Sequence, residues 1–392
     1  MTTLLRVGVV GLGRAAGLMI PSLAGHPHVK LTAAADPLPA ARARFEREFG
    51  GRTYPDARSL CASDDVDAVY IATPHARHAA DAIVAAELGK HAIVEKPMAL
   101  TLEDCRAMTE AASRAGTILI VGHTHAFDPP TVLMGQLIRS GDFGRLRTIV
   151  SLVYTNFLYR PRRPEELDSS LGGGIMYNQV PHQIEIIRTL ATAPVHSVRA
   201  VTGVWDPARR TEGACAAFLT FADGAVAQLT YSGYDRFDSD EIHYWIGESG
   251  EEKPHDAHGT ARRALSEVDP ERERDLRIAS GYGSSGAMRA SGTMHESHFG
   301  FLLASCERGD LRPAPDGVTI YGDEGVATIA CAPARVYPNK DCVIDELYDA
   351  VVKGVAPAHD GVWGTASMAV ALALVESART DREIALDAVL AS

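Results

Sequence analysis

Leu4-Leu5-Arg6-Val7-Gly8-Val9-Val10-Gly11-Leu12-Gly13-Arg14-Ala15-Ala16 decides the fold of the first part of the chain. A nearly continuous apolar run leads straight into Gly11 and Gly13, and a helical pattern follows. Continuous rather than alternating apolar character marks a strand buried on both faces, as in a parallel sheet covered by helices. At such a strand-to-helix junction the G-x-G-x-x-A pattern has a physical reading. Gly11 permits the tight turn, Gly13 lets the backbone approach a pyrophosphate, and small Ala16 lets the helix lie close on the sheet. The phosphates then rest at a helix N-terminus, where free N–H groups and the dipole favour anions. Asp36 ends the next apolar run, 25 positions after Gly11. It reads either as the acceptor of both adenosine ribose hydroxyls or as a loop cap. As a ribose ligand it would repel a 2′-phosphate, and Pro37 follows where an NADP enzyme often carries a basic or small polar residue. NAD is therefore expected over NADP. Arg14 reads either as a diphosphate or adenine contact or as an exposed helix arginine.

Outward from this turn, strands are expected at Leu4–Val10, Val29–Ala35, Val66–Ala72, Ala92–Val94 and Ile118–Val121. Helices alternate with them at Arg14–Leu23, Ala40–Phe49 and Arg77–Leu88, and a further helix is capped by Thr101 with Asp104 and closed by Gly116. Residues 1–127 thus read as a doubly wound α/β domain. Beyond them a helix at Thr131–Ser140 precedes strand-like runs at Leu146–Tyr154, His196–Val204, Ala214–Phe221, Val226–Tyr231 and Ile242–Ile246. Ala222-Asp223-Gly224 is a hairpin turn between two of them. Residues 128–392 read as a substrate-binding and oligomerisation α+β domain with a mainly antiparallel open sheet. Within it Gly247–Ser297 is polar and weakly periodic, an irregular insertion given no chemistry. A hairpin at Asp323-Glu324-Gly325 and helices near Val343–Val352 and Ser367–Arg379 complete the chain.

Composition narrows the class. The chain has 392 residues, 46 % of them hydrophobic and 22 % charged, enough for about two domains with real cores. A formal charge of −12 gives no global pull toward nucleic acid or anionic membrane. No run reaches the ~18 uninterrupted apolar residues of a membrane span. The six cysteines are scattered without C-x-x-C or zinc-type spacing, as expected of thiols in a reducing cytoplasm, and no metal is expected.

Two further motifs carry chemistry. Thr73-Pro74-His75-Ala76-Arg77-His78, Gly89-Lys90-His91 and Glu95-Lys96-Pro97 resemble the T-P-x-x-x-H…G-K-H…E-K-P run of the Gfo/Idh/MocA oxidoreductases. Gly172-Gly173-Gly174-Ile175-Met176-Tyr177-Asn178-Gln179-Val180-Pro181-His182 resembles that family's G-G-G-x-x-x-D-x-G-x-H segment. The resemblance implies that Lys96 reaches in beside the nicotinamide, with Glu95 and Pro97 holding the bend around it. It also implies that Thr73, Pro74, His75 and His78 belong to the cofactor loop, and that His182 handles the substrate proton. The chemistry of these residue types agrees. Imidazole titrates near neutrality and suits a hydroxyl proton, and an ammonium stabilises a developing alkoxide. The plainer readings are a surface lysine and a satisfied core histidine. Asn178 stands where the family has an acid and Val180 where it has a glycine, which shifts the proton role onto His182 and weakens a sugar or inositol assignment.

Gly122-His123-Thr124-His125-Ala126-Phe127-Asp128 and Asn156-Phe157-Leu158-Tyr159-Arg160-Pro161-Arg162-Arg163-Pro164 look like the branch acting on carboxylated cyclohexadiene cis-diols, of the phthalate 4,5-dihydrodiol type. Arg160, Arg162 and Arg163 could hold a substrate carboxylate through bidentate contacts, or form a basic surface loop or subunit contact. His123 and His125 could line the pocket or support it, and Tyr177, Asn178 and Tyr159 are further candidates. The implied activity is NAD-dependent oxidation of an aromatic-acid dihydrodiol to a catechol by a homodimer or homotetramer. The alternatives are a sugar, inositol or sugar-acid dehydrogenase and a cofactor-binding regulator.

Overall fold

In the computed structural model, which describes residues 4–122, 124–279, 282, 293–331 and 338–391, the first apolar runs assemble into one parallel sheet. Its strands are β1 (Leu5–Val10), β2 (Val29–Ala35), β3 (Arg52–Tyr54), β4 (Ala68–Ile71), β5 (His91–Glu95) and β6 (Leu119–Gly122). They lie in the order β3-β2-β1-β4-β5-β6 and every neighbouring pair is parallel. The order reverses between β1 and β4, and in such sheets ligands bind outside the carboxyl ends of the strands at that point.

Burial explains the unbroken apolar runs, since every residue of β4 and of β6 is buried. β6 is an edge strand, and the returning chain covers it. Ile120 bridges Asp360, and the Val121 N–H donates to the His359 carbonyl at 2.9 Å. Lys340–Met368 accordingly joins the parallel sheet in one compact unit, whereas the sequence reading assigned everything beyond residue 127 to the second domain. Helix signals hold where capping chemistry is explicit. Thr101 Oγ1 accepts from the Asp104 N–H at 3.1 Å, and Gly116 closes that helix with a φ of 66°. The short β3 and the helix Ala57–Cys61 were not expected; three strand residues are too few to show a period, and Asp56 caps the helix by accepting from the Ser59 N–H.

The second unit is built on a nine-stranded sheet in the order β14-β13-β12-β11-β7-β10-β9-β8-β15. These strands are β7 (Leu146–Tyr154), β8 (Val195–Gly203), β9 (Ala214–Phe221), β10 (Val226–Ser232), β11 (Phe301–Cys306), β12 (Gly309–Ala314), β13 (Gly317–Gly322), β14 (Gly325–Ala330) and β15 (Ile384–Ala385). All neighbours are antiparallel except the central β7 and β10. Register shows how the two faces differ. Val198, Leu219, Ala227, Ile149, Ala304, Leu311 and Ile320 form one cross-strand row, and all are buried. The next row, Arg199, Phe218, Gln228, Val150 and Leu303, is half-buried to exposed. This is the period-two alternation of a sheet covered on one face. The helices Pro129–Ser140 and Val180–Leu190 pack on the covered face.

Two expectations are corrected. Ile242–Ile246 is not a strand. Ser239–His243 forms a 3-10 turn whose first residues are capped by Asp238, and Tyr244 and Trp245 then adopt φ values of 60° and 58°, outside the extended region. Lys253 locks this turn by bridging Asp238 and Asp240. Nor is the described part of Gly247–Ser297 irregular, for it contains the helices Thr260–Leu265 and Pro270–Ala279. A buried bidentate pair, Arg209 with Glu273 at 2.7 and 3.0 Å, fixes the second of them. Helix Gly361–Thr380 has the length and apolarity of a membrane span, but more than half of its most apolar stretch is buried within the protein.

Candidate active site

At the carboxyl end of β1, Gly11 takes a φ of 90°, which side chains rarely tolerate, and a Cβ there would lie 2.8 Å from the Ala72 carbonyl oxygen. The loops after β1 and β4 can meet only because this position carries no side chain. Gly13 is exposed, and a Cβ on it would come within 4.0 Å of the Ala72 carbonyl oxygen, beside the turn. It also stands as the N-cap of helix Arg14–Gly25 and brings no side chain of its own to the first turn. Ala16 is fully buried beneath. A pyrophosphate fits this glycine-lined helix start. Asp36 is nearly buried and does act as a loop cap, one oxygen accepting from the Leu12 N–H and the other from the Leu38 N–H, both at 2.8 Å. Each oxygen retains a lone pair for a ribose hydroxyl. Arg14 is exposed at the helix start.

The loops after β4 and β5 are tied together from beneath. His78, expected at the cofactor, is wholly buried, and its ring nitrogens lie 2.9 Å from the carbonyl oxygens of Thr73 and Pro97. Burial pushes this imidazole below its ordinary value against the pull of those carbonyls. Its position makes it a support for the Thr73 and Lys96–Pro97 backbones rather than a ligand. Thr73 donates to Asp81, which also pairs with Arg77. Pro74 is exposed and His75 half-buried on the same loop. Glu95 accepts from the Tyr70 hydroxyl, which burial and this carboxylate hold well above the usual phenol range. Lys96 is half-buried and precedes a cis Pro97.

In the second unit the glycine run is dictated by packing. Gly174 has a φ of 74°, and any Cβ would collide with Thr211 Oγ1. Asn178 donates to the carbonyls of Gly172 and Gly174 at 3.0 and 2.8 Å, so it shapes the turn from which the next helix starts. Tyr177 is half-buried beside Glu212, and burial raises its phenol. On helix Val180–Leu190, Gln183 reaches into the sheet and donates to Ser151 Oγ at 2.8 Å and the Thr230 carbonyl at 3.2 Å. That anchor fixes the rotation of the helix and with it His182, which is 6 % exposed.

His182 meets a second histidine. The His125 ring stands edge-on to it, with centroids 4.8 Å apart, and Phe299 packs against both at 4.8 and 5.0 Å. His125 Nδ1 lies 2.7 Å from Asp128, whose other oxygen accepts from Ser297 Oγ at 2.8 Å. Its Nε2 lies 3.2 Å from Glu248. Burial alone would lower the His125 imidazole, but the Asp128 and Glu248 carboxylates prevail and raise it to about 9, so it is a cation at neutral pH. Glu248 also pairs with Arg160 at 3.6 Å.

The three arginines therefore part company. Arg160 faces the histidine cluster. Arg162 lies over the Phe157 ring at 3.9 Å and donates to the Phe157 carbonyl, while Arg163 pairs with Glu165 and Glu166 at the surface. His123 lies outside the described residues. Tyr159, which donates to Asp206, is buried. Asp128, Ser297, Phe299 and Glu248 were not read as site residues. The i, i+3 spacing of His125 and Asp128 was a usable signal for the first, but Glu248 is 123 positions from its histidine.

Comparison with known proteins agrees with this architecture. Residues 5–123 match the family described as "Oxidoreductase family, NAD-binding Rossmann fold", and residues 131–251 match the "GFO/IDH/MocA C-terminal domain". The chain is 40 % identical to the 1-carboxy-3-chloro-3,4-dihydroxycyclohexa-1,5-diene dehydrogenase of Comamonas testosteroni, over 96 % of each protein. It is 32 % identical to the scyllo-inositol 2-dehydrogenase (NAD(+)) of Bacillus subtilis, over 49 % of this chain and 56 % of that one. A solved structure from Bordetella bronchiseptica RB50 superposes with a TM-score of 0.92 at 42 % identity, covering 98 % of this chain and all of the other. With both of its domains matched and both motifs in place, the chain belongs to the Gfo/Idh/MocA family of oxidoreductases.

Proposed function

We propose that the protein oxidises a carboxylated cyclohexadiene cis-dihydrodiol to the corresponding catechol, with NAD as its cofactor. The observation that carries this reading is the 40 % identity, over 96 % of both chains, with a dehydrogenase named for such a substrate. The cationic pair His125 and Arg160 beside His182 supports it, because an anionic ring substituent needs such a partner. Gly11, Gly13, Ala16 and Asp36 would hold NAD, with Arg14 at the helix start. Thr73, Pro74 and His75 would border it, and Glu95 would hold the bend before Lys96. Bound there, NAD supplies the hydride acceptor. His182 takes the proton of the hydroxyl being oxidised, and the Lys96 ammonium steadies the oxygen as charge develops on it. The carbinol carbon thus loses a hydride and its oxygen a proton, leaving a hydroxydienone that tautomerises to the catechol. The second adjacent hydroxyl is retained throughout.

Asp36 favours NAD because its carboxylate would repel a 2′-phosphate. The exposed apolar side chains Val201, Phe218, Tyr321 and Val326 on the second unit's strands support self-association through the sheet's open side. The test is direct. Purified protein is offered carboxylated cyclohexadiene cis-diols, inositols and sugars with NAD or NADP, and the reduced nicotinamide is followed by absorbance. Turnover of the carboxylated diols with NAD is expected, whereas turnover of polyols alone would reject the assignment.

A further inference from the structure

We propose that His125 and Arg160 form a carboxylate subsite that Glu248 occupies from within, so that a substrate carboxylate binds by displacing the Glu248 side chain. This rests on the reading above that the substrate carries a carboxylate, and it adds how the protein selects for one.

The geometry is that of an occupied anion site. One Glu248 oxygen lies 3.2 Å from His125 Nε2, and the other lies 3.6 Å from an Arg160 terminal nitrogen. The two cations come from separate elements, the 3-10 turn Thr124–Phe127 and the loop that follows Phe157–Tyr159. Each is held by a partner other than Glu248. His125 is fixed by Asp128, itself fixed by Ser297. Arg160 Nε donates to Asn156 Oδ1 at 2.8 Å. Moving Glu248 away therefore leaves the two cations in position, as a preorganised carboxylate site requires.

Glu248 is the member built to move. Its side chain is 38 % exposed, against 7 % for His125. It projects from the turn Gly247–Gly250, closed by the Gly250 N–H donating to the Gly247 carbonyl at 2.9 Å. A half-exposed carboxylate re-enters water at modest cost, whereas its departure leaves Arg160 without that carboxylate and His125 with Asp128 alone at a partly buried site. An incoming carboxylate replaces like with like. A neutral polyol offers the cations hydroxyl acceptors but no negative charge in exchange, so Glu248 stays and the polyol is refused; the tethered carboxylate is a specificity device as well as a plug. The bound anion would lie against His125, whose ring touches both His182 and Phe299.

A tethered competitor lowers apparent affinity by the fraction of time it leaves the site open, so a site open a tenth of the time binds about tenfold more weakly than its intrinsic limit. Benzoate is the probe, titrated calorimetrically into the full-length wild type, E248A, E248Q, and E248A combined with R160L. Melting temperature and NAD affinity serve as fold controls. Benzoate should bind about tenfold more tightly to E248A and E248Q than to wild type, and the added R160L change should abolish the gain. Benzoate affinity unchanged or weakened in both Glu248 variants, with the controls intact, overturns the proposal. Because the readout needs no turnover, it separates from the functional assignment. A wild type that oxidises carboxylated diols while E248A gains no benzoate affinity sinks the subsite alone. Tighter benzoate binding by E248A in a protein that oxidises only polyols supports the subsite and sinks the assignment.

Discussion

Replacing Asp128 by asparagine isolates the charge that holds His125. The side chain is 1 % exposed, and its two oxygens serve His125 at 2.7 Å and Ser297 at 2.8 Å. Asparagine keeps the shape. Its amide oxygen can still accept from Ser297, and its NH2 can donate to a neutral His125 whose other nitrogen donates to Glu248. What disappears is the larger of the two carboxylate contributions that raise the imidazole, with Glu248 left in place. The rise from 6.5 to about 9 corresponds to roughly 3 kcal/mol of folding free energy. Because the folded-state value is the higher one, that contribution is complete below pH 6.5 and is lost as pH climbs to about 9. The D128N protein should therefore be less stable than wild type by up to roughly 3 kcal/mol near pH 6, and the gap should close toward pH 9. The assay is the urea unfolding midpoint measured across that range. The two proteins are compared by slope, so an unfolding reaction with more than one step affects both alike. A gap that stays constant from pH 6 to 9 would refute the claim that a protonated His125 couples to Asp128.

Four other changes test separate parts of the structure. Lys96→Met should reduce kcat by at least about a hundredfold while leaving NAD affinity, measured by fluorescence, nearly unchanged, since the proposed role of Lys96 is charge stabilisation at the reacting oxygen. Gly11→Ala meets the Ala72 carbonyl at 2.8 Å with a φ of 90°, so it should cost about 1–2 kcal/mol in stability and weaken NAD binding at least tenfold by calorimetry. Glu273→Ala leaves the buried Arg209 guanidinium without its bidentate partner and should destabilise the protein by about 3–5 kcal/mol in chemical denaturation. Raising pH through about 9 should weaken benzoate binding, because His125 then loses the charge that receives the carboxylate; affinity flat from pH 7 to 10 would contradict that role.

What could be read from the chain depended on whether the cause was local. The Gly11-to-Ala16 turn, the Thr101 cap and the Gly116 stop are each fixed by residues within a few positions of one another, and each appears where the sequence places it. The continuous apolar runs announced the parallel sheet because burial on both faces removes alternation. The Ile242–Ile246 error is the converse. Apolar and aromatic residues suggested a strand, but Asp238, Asp240 and Lys253 enforce a turn through a contact 13 to 15 positions away. In the site, the histidines, Arg160 and the glycine run were legible as residue types. The reason for Gly174 was not, because Thr211, whose hydroxyl forbids a side chain there, is distant in sequence. Glu248 and Ser297 were hidden for a further reason. They sit in a charged, weakly periodic stretch, and polarity without period looks the same whether a segment is solvated or is wrapped around a buried cation.

The net charge of −12 gives the His125 cluster its meaning. A carboxylated substrate approaching an acidic protein is repelled at long range, yet at physiological salt that repulsion fades over a Debye length of about 8 Å. Selectivity must then come from charges the substrate touches. Asn178 adds no negative charge beside the glycine turn, its amide being spent on two backbone carbonyls. Arg162 and Arg163 are engaged with Phe157 and with Glu165 and Glu166. Arg160 and the protonated His125 present their charge to a carboxylate already in place, against the ring of His182. On the proposed reading an anion must therefore compete with Glu248 for those two cations, and the depth of that competition, rather than the sign of the whole molecule, would set which substrates are accepted.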